Sequence, residues 1–210
     1  MAYCKWGEIS ELYKRYHDEE WGVPVHDDRT QFEFLMLEAM QCGLSWKLML
    51  QKREIFRKCF DNFEYDKVAR YDESDVEQIM NADGMIKSRR KIEAVINNAK
   101  CFQKIRDEFE SFCKFLWSYS DGKTILYEDH GKCWIPASNG LSDRISKDLK
   151  QRGFKFLGSV TVYSHLQACG IINDHGDDCE CYKKIVATYP TIKKAKDNEK
   201  NVQCLYNNLG

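Results

Sequence analysis

The sequence lacks a large net charge, a long apolar run and any internal repeat, and each absence excludes a class of protein. Its 32 lysines and arginines stand against 33 aspartates and glutamates, leaving −1 at pH 7. That excludes an obligate wrapper of nucleic acid, whose whole surface must be basic. Local basic patches remain, at Lys87, Arg89, Arg90 and Lys91 and again at Lys147, Lys150, Arg152 and Lys155; each can contact phosphates, and taken alone each reads better as a solvated helix face. No apolar stretch approaches the roughly 20 residues of a membrane span, and Met1-Ala2-Tyr3-Cys4-Lys5 opens no signal peptide, so the expectation is a cytoplasmic protein. Disordered and collagen-like compositions are excluded by 43% hydrophobic and 13% aromatic residues, enough apolar surface for a packed core.

What is present is helical periodicity over 210 residues, a length that suits one core or two small helical lobes sharing a cleft. Ile9, Leu12, Tyr13 and Tyr16, then Phe32, Leu35, Met36 and Ala39, then Trp46, Met49, Leu50, Phe56 and Phe60 recur at three- and four-residue steps, the spacing of three amphipathic helices. Ser74-Asp75-Val76-Glu77 reads as a capping box. Gly84 breaks that helix, and a longer one carries Ile92, Val95, Ile96, Ala99 and Phe102. Phe109, Phe112, Phe115 and Leu116 suit another. From about Ser120 to Gly140 the pattern lapses into a loop with room for one short extended piece. Ser142-Asp143 can cap a helix with Ile145 and Leu149, and Val160, Tyr163 and Leu166 mark the next. The expected class is all-α, with 1–183 as one domain of two lobes and 184–210 as a Lys-rich C-terminal tail.

Four features carry chemistry. Ten cysteines in a reducing compartment are mostly core residues, with a few available to metal. Cys4 and His17 near one end, with His175 and Cys179 near the other, make a two-thiolate, two-imidazole set that can complete a tetrahedral structural zinc site; Cys181 competes with Cys179, and each of the four also reads as an ordinary buried residue. Second, Lys150-Gln151-Arg152-Gly153-Phe154-Lys155-Phe156-Leu157-Gly158 is a tight connection between two helices. Gly153, Lys155 and Gly158 could bring backbone amides and a charge to a phosphate, though ordinary turn chemistry reads the same way. Third, Trp6, Tyr13, Tyr16, Trp21 and Trp46 crowd the first 46 residues, and Tyr13 and Tyr16 share a helix face with His17. Fourth, Glu38 sits among Phe34, Leu35 and Cys42, an apolar setting in which a carboxylate needs a partner or a cation. Aromatic faces attract cations and stack on flipped bases; aromatics at helical spacing are also the ordinary content of a core.

Cys4-Lys5-Trp6, the run Tyr13-Lys14-Arg15-Tyr16-His17-Asp18-Glu19-Glu20-Trp21-Gly22-Val23-Pro24, Leu37-Glu38-Ala39-Met40-Gln41-Cys42-Gly43-Leu44-Ser45-Trp46, Arg152 to Gly158, and Gln167-Ala168-Cys169-Gly170-Ile171-Ile172-Asn173-Asp174-His175 together resemble the 3-methyladenine DNA glycosylase I family of the helix-hairpin-helix glycosylase superfamily. The resemblance runs from Cys4 to about Tyr182. It implies two helical lobes with a lesion pocket between them and a zinc staple through Cys4, His17, His175 and Cys179. It implies base recognition by Glu38 and Tyr16, with Tyr13, Trp21, Trp46, Trp6 and Ser164 around them and Gly43 and Leu44 wedging into the duplex. The implied reaction is monofunctional removal of 3-methyladenine from double-stranded alkylated DNA, with no obligate protein partner. Where the wider superfamily carries an aspartate two residues before a histidine, this sequence has Asn173, so Asp174 is not expected to act as the base. The alternative from another class is a non-catalytic, zinc-stapled DNA-binding module.

Overall fold

The computed structural model describes residues 3–128, 130 and 135–195. After a short 3-10 turn at Tyr3–Glu8 come α1 (Glu11–Glu19), α2 (Asp28–Gln41), α3 (Trp46–Cys59), α4 (Tyr65–Val68), α5 (Glu73–Asn81), α6 (Arg89–Phe109) and α7 (Phe112–Ser118). A strand β1 (Thr124–Tyr127) follows, then α8 (Gly140–Gln151), α9 (Ser159–Ala168), α10 (Glu180–Thr188) and β2 (Thr191–Lys194). The architecture is mostly helical, as the periodicity implies, with one two-stranded parallel sheet among the described residues.

α2 is the centre of the molecule. Every residue from Gln31 to Met40 is buried, which is what a helix apolar on nearly all sides requires. α3, α6, α7 and α9 pack around it. Its start is fixed by Asp27, whose carboxylate accepts from the Thr30 amide at 2.8 Å, a cap of the ordinary acidic kind.

Several boundaries differ from the sequence expectation for identifiable reasons. The box opening α5 lies two residues earlier than Ser74: the Asp72 side chain accepts from Asp75 N, and the Asp75 side chain accepts from Asp72 N. α8 is opened by Asn139, and Ser142 is the reciprocal partner of that box instead of the cap itself. Phe109 ends α6, because Glu110 turns left-handed at φ 70° before α7 begins. Ile9 lies outside α1 and is exposed.

The segment after Ser120 does more than connect. β1 pairs in parallel with β2, Ile125 opposite Ile192, and on its other side Ile125 bridges Ile172. β1 therefore holds the strand-like Ile171–Asn173 stretch and sets where Asp174 and His175 emerge. The boundary drawn at residue 183 falls inside α10, which runs on to Thr188 before β2 returns to the body of the protein; residues 196–210 of the expected tail lie outside the described residues.

Candidate active site

A cavity of about 620 Å³ opens between the α1–α2–α3 side and α9. Its walls are aromatic: Trp6, Tyr13, Tyr16, Trp21 and Trp46 all line it, with Gln41, Gly43, Leu44, Ser164 and Gln167 towards the mouth and far side. The sequence scatters these residues over five segments, and α2 is what gathers them, since its C-terminal turn and the α3 start face α1 and α9. Trp6 meets Trp21 edge-on with centroids 5.1 Å apart, and Tyr16 and Trp46 are tilted at 52° with centroids at 5.3 Å. The rings line the space as a cage and do not fill it.

Glu38 forms part of that wall and is 5% exposed. Among the described residues its carboxylate has neither a hydrogen-bond nor an ion-pair partner. Burial alone pushes its acid up to about 8, because removing a carboxylate from water penalises the charged form. Tyr16 is buried beside it, and burial followed by the Glu38 charge holds its hydroxyl well above the usual phenol range. The site thus offers electron-rich faces, a neutral phenol and one acid that lacks a cation.

Behind the cage, Cys4, His17, His175 and Cys179 bring their ligand atoms within 4.8 Å of one another, a cluster that could hold a metal ion. The two rings are pre-oriented. His175 Nε2 lies 2.9 Å from the Trp21 carbonyl, which directs Nδ1 at Cys4 and Cys179; His17 Nδ1 lies 2.7 Å from Asp18, which directs Nε2 at Cys179. Such outer partners fix the tautomer and the ring plane. Cys181, the competing ligand, donates instead towards the His17 and Asp18 carbonyls. Trp21 is shared, touching the His175 ring at 4.5 Å on one side and the cavity on the other.

The hairpin between α8 and α9 is anchored to α6. Asn98 accepts from the Lys155 amide and donates to the Lys155 carbonyl, while Asn97 donates to the Gly153 carbonyl. Lys155, Lys147 and Lys150 are exposed, and a Cβ at Gly158 would meet open space, so the hairpin backbone is open to an approaching phosphate. The other basic run is divided: Arg89 pairs with Glu73 and Glu77, Arg90 lies over the Phe156 ring at 5.2 Å, and Lys91 turns inward.

The chain matches the family model for methyladenine glycosylase over residues 6–183. The chain belongs to the methyladenine glycosylase family. It is 43% identical over 182 residues to DNA-3-methyladenine glycosylase 1 of Escherichia coli (strain K12), covering 87% of this chain and 97% of that protein. Among solved structures it resembles a variant of 3-methyladenine DNA glycosylase I in complex with 3-methyladenine, with a TM-score of 0.81, 40% identity, and coverage of 85% and 96% of the two chains. It also resembles 3-methyladenine DNA glycosylase I from Staphylococcus aureus, with a TM-score of 0.79, 37% identity, and coverage of 85% and 95%.

Sequence reasoning missed several residues that shape this methyladenine glycosylase site. Gln167 lines the cavity and donates to Asp174 at 2.8 Å. Asp174 also accepts from Tyr163 at 2.7 Å and meets His130 at 2.7 Å, so its carboxylate is engaged in a buried network. Gly22, at φ 81°, lets the chain pass the His175 ring where a Cβ would come within 3.0 Å. Only the string Trp21-Gly22-Val23 could have flagged it.

Proposed function

We propose that this chain is a monofunctional DNA-3-methyladenine glycosylase, a base-excision repair enzyme hydrolysing the N-glycosidic bond of 3-methyladenine in double-stranded alkylated DNA. The observation that carries the reading is Glu38, a buried acid without a partner among the described residues, in the wall of an aromatic cage. A purine methylated at N3 in DNA is a cation. It gains from ring faces and from Glu38, which gives up its proton to the solvent as the cation arrives and then accepts from the base edge. Neutral adenine lacks both attractions and is rejected.

Methylation already makes the base a good leaving group, so the protein need only extrude the nucleotide, hold the base and let water reach a sugar developing positive charge. Glu38 and Tyr16 recognise the base; Tyr13, Trp21, Trp46, Trp6 and Ser164 shape its pocket. Gly43 and Leu44 wedge into the duplex, and Gly153, Lys155 and Gly158 hold a phosphate in a helix-hairpin-helix arrangement of two lobes. Cys4, His17, His175 and Cys179 fit zinc. The Cys4–His175, Cys179–His17 and Cys179–His175 N–S separations of 3.6–3.7 Å match the edge of about 3.6 Å expected for a tetrahedron with ordinary zinc–sulfur and zinc–nitrogen bonds. Such an ion supplies a structural cross-link between the chain's two ends. No helix of the described residues is long and apolar enough to cross a membrane, which suits a cytoplasmic enzyme acting on DNA.

Incubation with methylated duplex DNA, followed by chromatography of the supernatant, tests the reading. Free 3-methyladenine is expected. Binding of the DNA with no base released would favour the non-catalytic module instead.

A further inference from the structure

The basic run at the start of α6 is only partly explained by phosphate contacts or solvation, because Lys91 points into the protein. Its ammonium donates to two backbone carbonyls, Met40 O at 2.7 Å and Cys42 O at 2.7 Å, and it has no carboxylate partner among the described residues. Those carbonyls belong to the last turn of α2 and the turn that follows. α2 has no basic residue in its own last turn, although a cation there answers both the free carbonyls and the negative end of the helix dipole. Lys91 supplies it from another helix.

The second bond is more specific than a helix cap. Leu44 N donates to Gln41 O at 2.6 Å, Cys42 has φ −39° and ψ 110°, and Gly43 has φ 80°. This is a type II turn with glycine at the position that demands positive φ. Type I and type II turns differ chiefly in which way the central peptide faces, and the carbonyl of that peptide here is Cys42 O. A donor fixed on Cys42 O therefore selects one of the two turns. The same turn is tied on its other side, where the Cys42 thiol lies 3.8 Å from Phe156 O and 3.7 Å from Thr161 Oγ1. Leu44, at the cavity mouth, is 37% exposed, an apolar side chain held out towards solvent by the turn.

We propose that Lys91 is a positioning residue for the excision reaction: by holding Cys42 O it locks the Gln41–Leu44 turn in the form that presents Leu44 to the DNA duplex. The proposal rests on the reading of Gly43 and Leu44 as the duplex wedge. Lys91 bonds the carbonyls of Met40 and Cys42, beyond Glu38 in the chain, and makes no bond to the Glu38 carboxylate. Its effect therefore belongs to duplex engagement and not to the grip on the base.

The experiment compares Lys91→Met, Leu44→Ala and the double variant, reading single-turnover excision from methylated duplex alongside binding of free 3-methyladenine by quenching of tryptophan fluorescence. Lys91→Met is expected to lower duplex excision about tenfold, less than the roughly hundredfold that a 1 Å misplacement can cost, while free-base affinity stays within about twofold. In the Leu44→Ala background the same change should cost little more, since both act through one element. Lys91→Gln, which keeps a single shorter donor, is the second variant and should fall between the two. A parallel loss of free-base binding, or a full Lys91→Met penalty without Leu44, would overturn the positioning role. If Leu44→Ala alone leaves duplex excision unchanged, the wedge reading itself fails, and that outcome is separate.

Discussion

Helix α2 carries two buried carboxylates five positions apart, and their surroundings are opposite. Glu33 is 1% exposed and is gripped by Arg53 at 2.6 Å and Arg57 at 2.7 Å, with Arg29 at 3.5 Å. Glu38 is nearly as buried, has no cation among the described residues, and faces a cavity. The cost of removing a charge from water is similar at the two positions, yet at Glu33 the protein offsets it internally, while at Glu38 the compensation is left for something that enters. Burial of a carboxylate is thus no sign of a site by itself; burial without a partner, beside space, is. The two residues can be separated by which property each variant damages.

The largest effect is expected at Glu38. Glu38→Gln keeps the shape and removes the charge, so excision of 3-methyladenine should fall about 10²-fold or more, the range seen when one preorganised electrostatic contact to a transition state is lost. Stability should move the other way. The folded state holds the Glu38 proton up to about 8 against an ordinary 4.5, so this group's contribution is present in full below pH 4.5 and is lost as pH rises towards 8, about 3 kcal/mol by pH 7. Difference melting curves between wild type and Glu38→Gln should therefore open in favour of the variant across that window and close near pH 4.5; a variant less stable at pH 7 would show that Glu38 has an internal partner after all.

Glu33→Gln should break the comparison in the other sense. Removing the carboxylate leaves Arg53, 11% exposed on its side chain, with Glu20 at 2.6 Å as its remaining carboxylate, so the loss should stay below the roughly 3 kcal/mol of a buried charge left wholly unpaired. Urea denaturation is expected to show that loss, while excision per folded molecule stays within a few-fold of wild type. A strong catalytic defect with unchanged stability would mean that the two glutamates do not divide as their partners suggest.

Cys4→Ser tests whether the cluster behind the cage supports the Glu38 side. Replacing one of four ligands should lower zinc affinity by at least about 100-fold, read as metal content after dialysis; retention of one full equivalent would remove Cys4 from the set. Because Trp21 touches both His175 and the cavity, excision should fall less than in Glu38→Gln but measurably.

The sequence made this division only half legible. Helical spacing put Tyr13, Tyr16 and His17 on one face, and the apolar neighbours of Glu38 marked it as a buried acid. Glu33 went unnoticed: Arg29 four positions earlier is a legible local pair, but the two closest arginines come from α3 at positions 53 and 57, and no local pattern links them to it. Thr191-Ile192-Lys193-Lys194 reads as part of a charged tail and becomes a strand because β1 offers it a parallel partner, a long-range pairing invisible to a local window. Lys91 was legible as charge and not as a donor to carbonyls at the end of a helix fifty positions earlier. What periodicity conveys is which face is apolar; which polar groups meet across the core depends on packing.

The smallest expected effect checks whether an unpartnered buried group must be functional. His165 on α9 is 1% exposed, and neither ring nitrogen has a hydrogen-bond partner among the described residues, but it does not line the cavity. If burial without a partner were sufficient, His165 would matter as Glu38 does; if adjoining space is also required, it is only a cost. Burial pulls its acid down to about 3 from an ordinary 6.5. The folded state thus resists protonation, so stability is present above pH 6.5 and drains as pH falls towards 3. His165→Phe removes a buried polar ring at similar volume and should raise stability by about 1–2 kcal/mol at neutral pH, with a larger gain at pH 5. Excision of 3-methyladenine should be unchanged. A gain in stability bought with lost excision would place α9's interior in the chemistry and would show that adjacency to the cavity is too narrow a criterion.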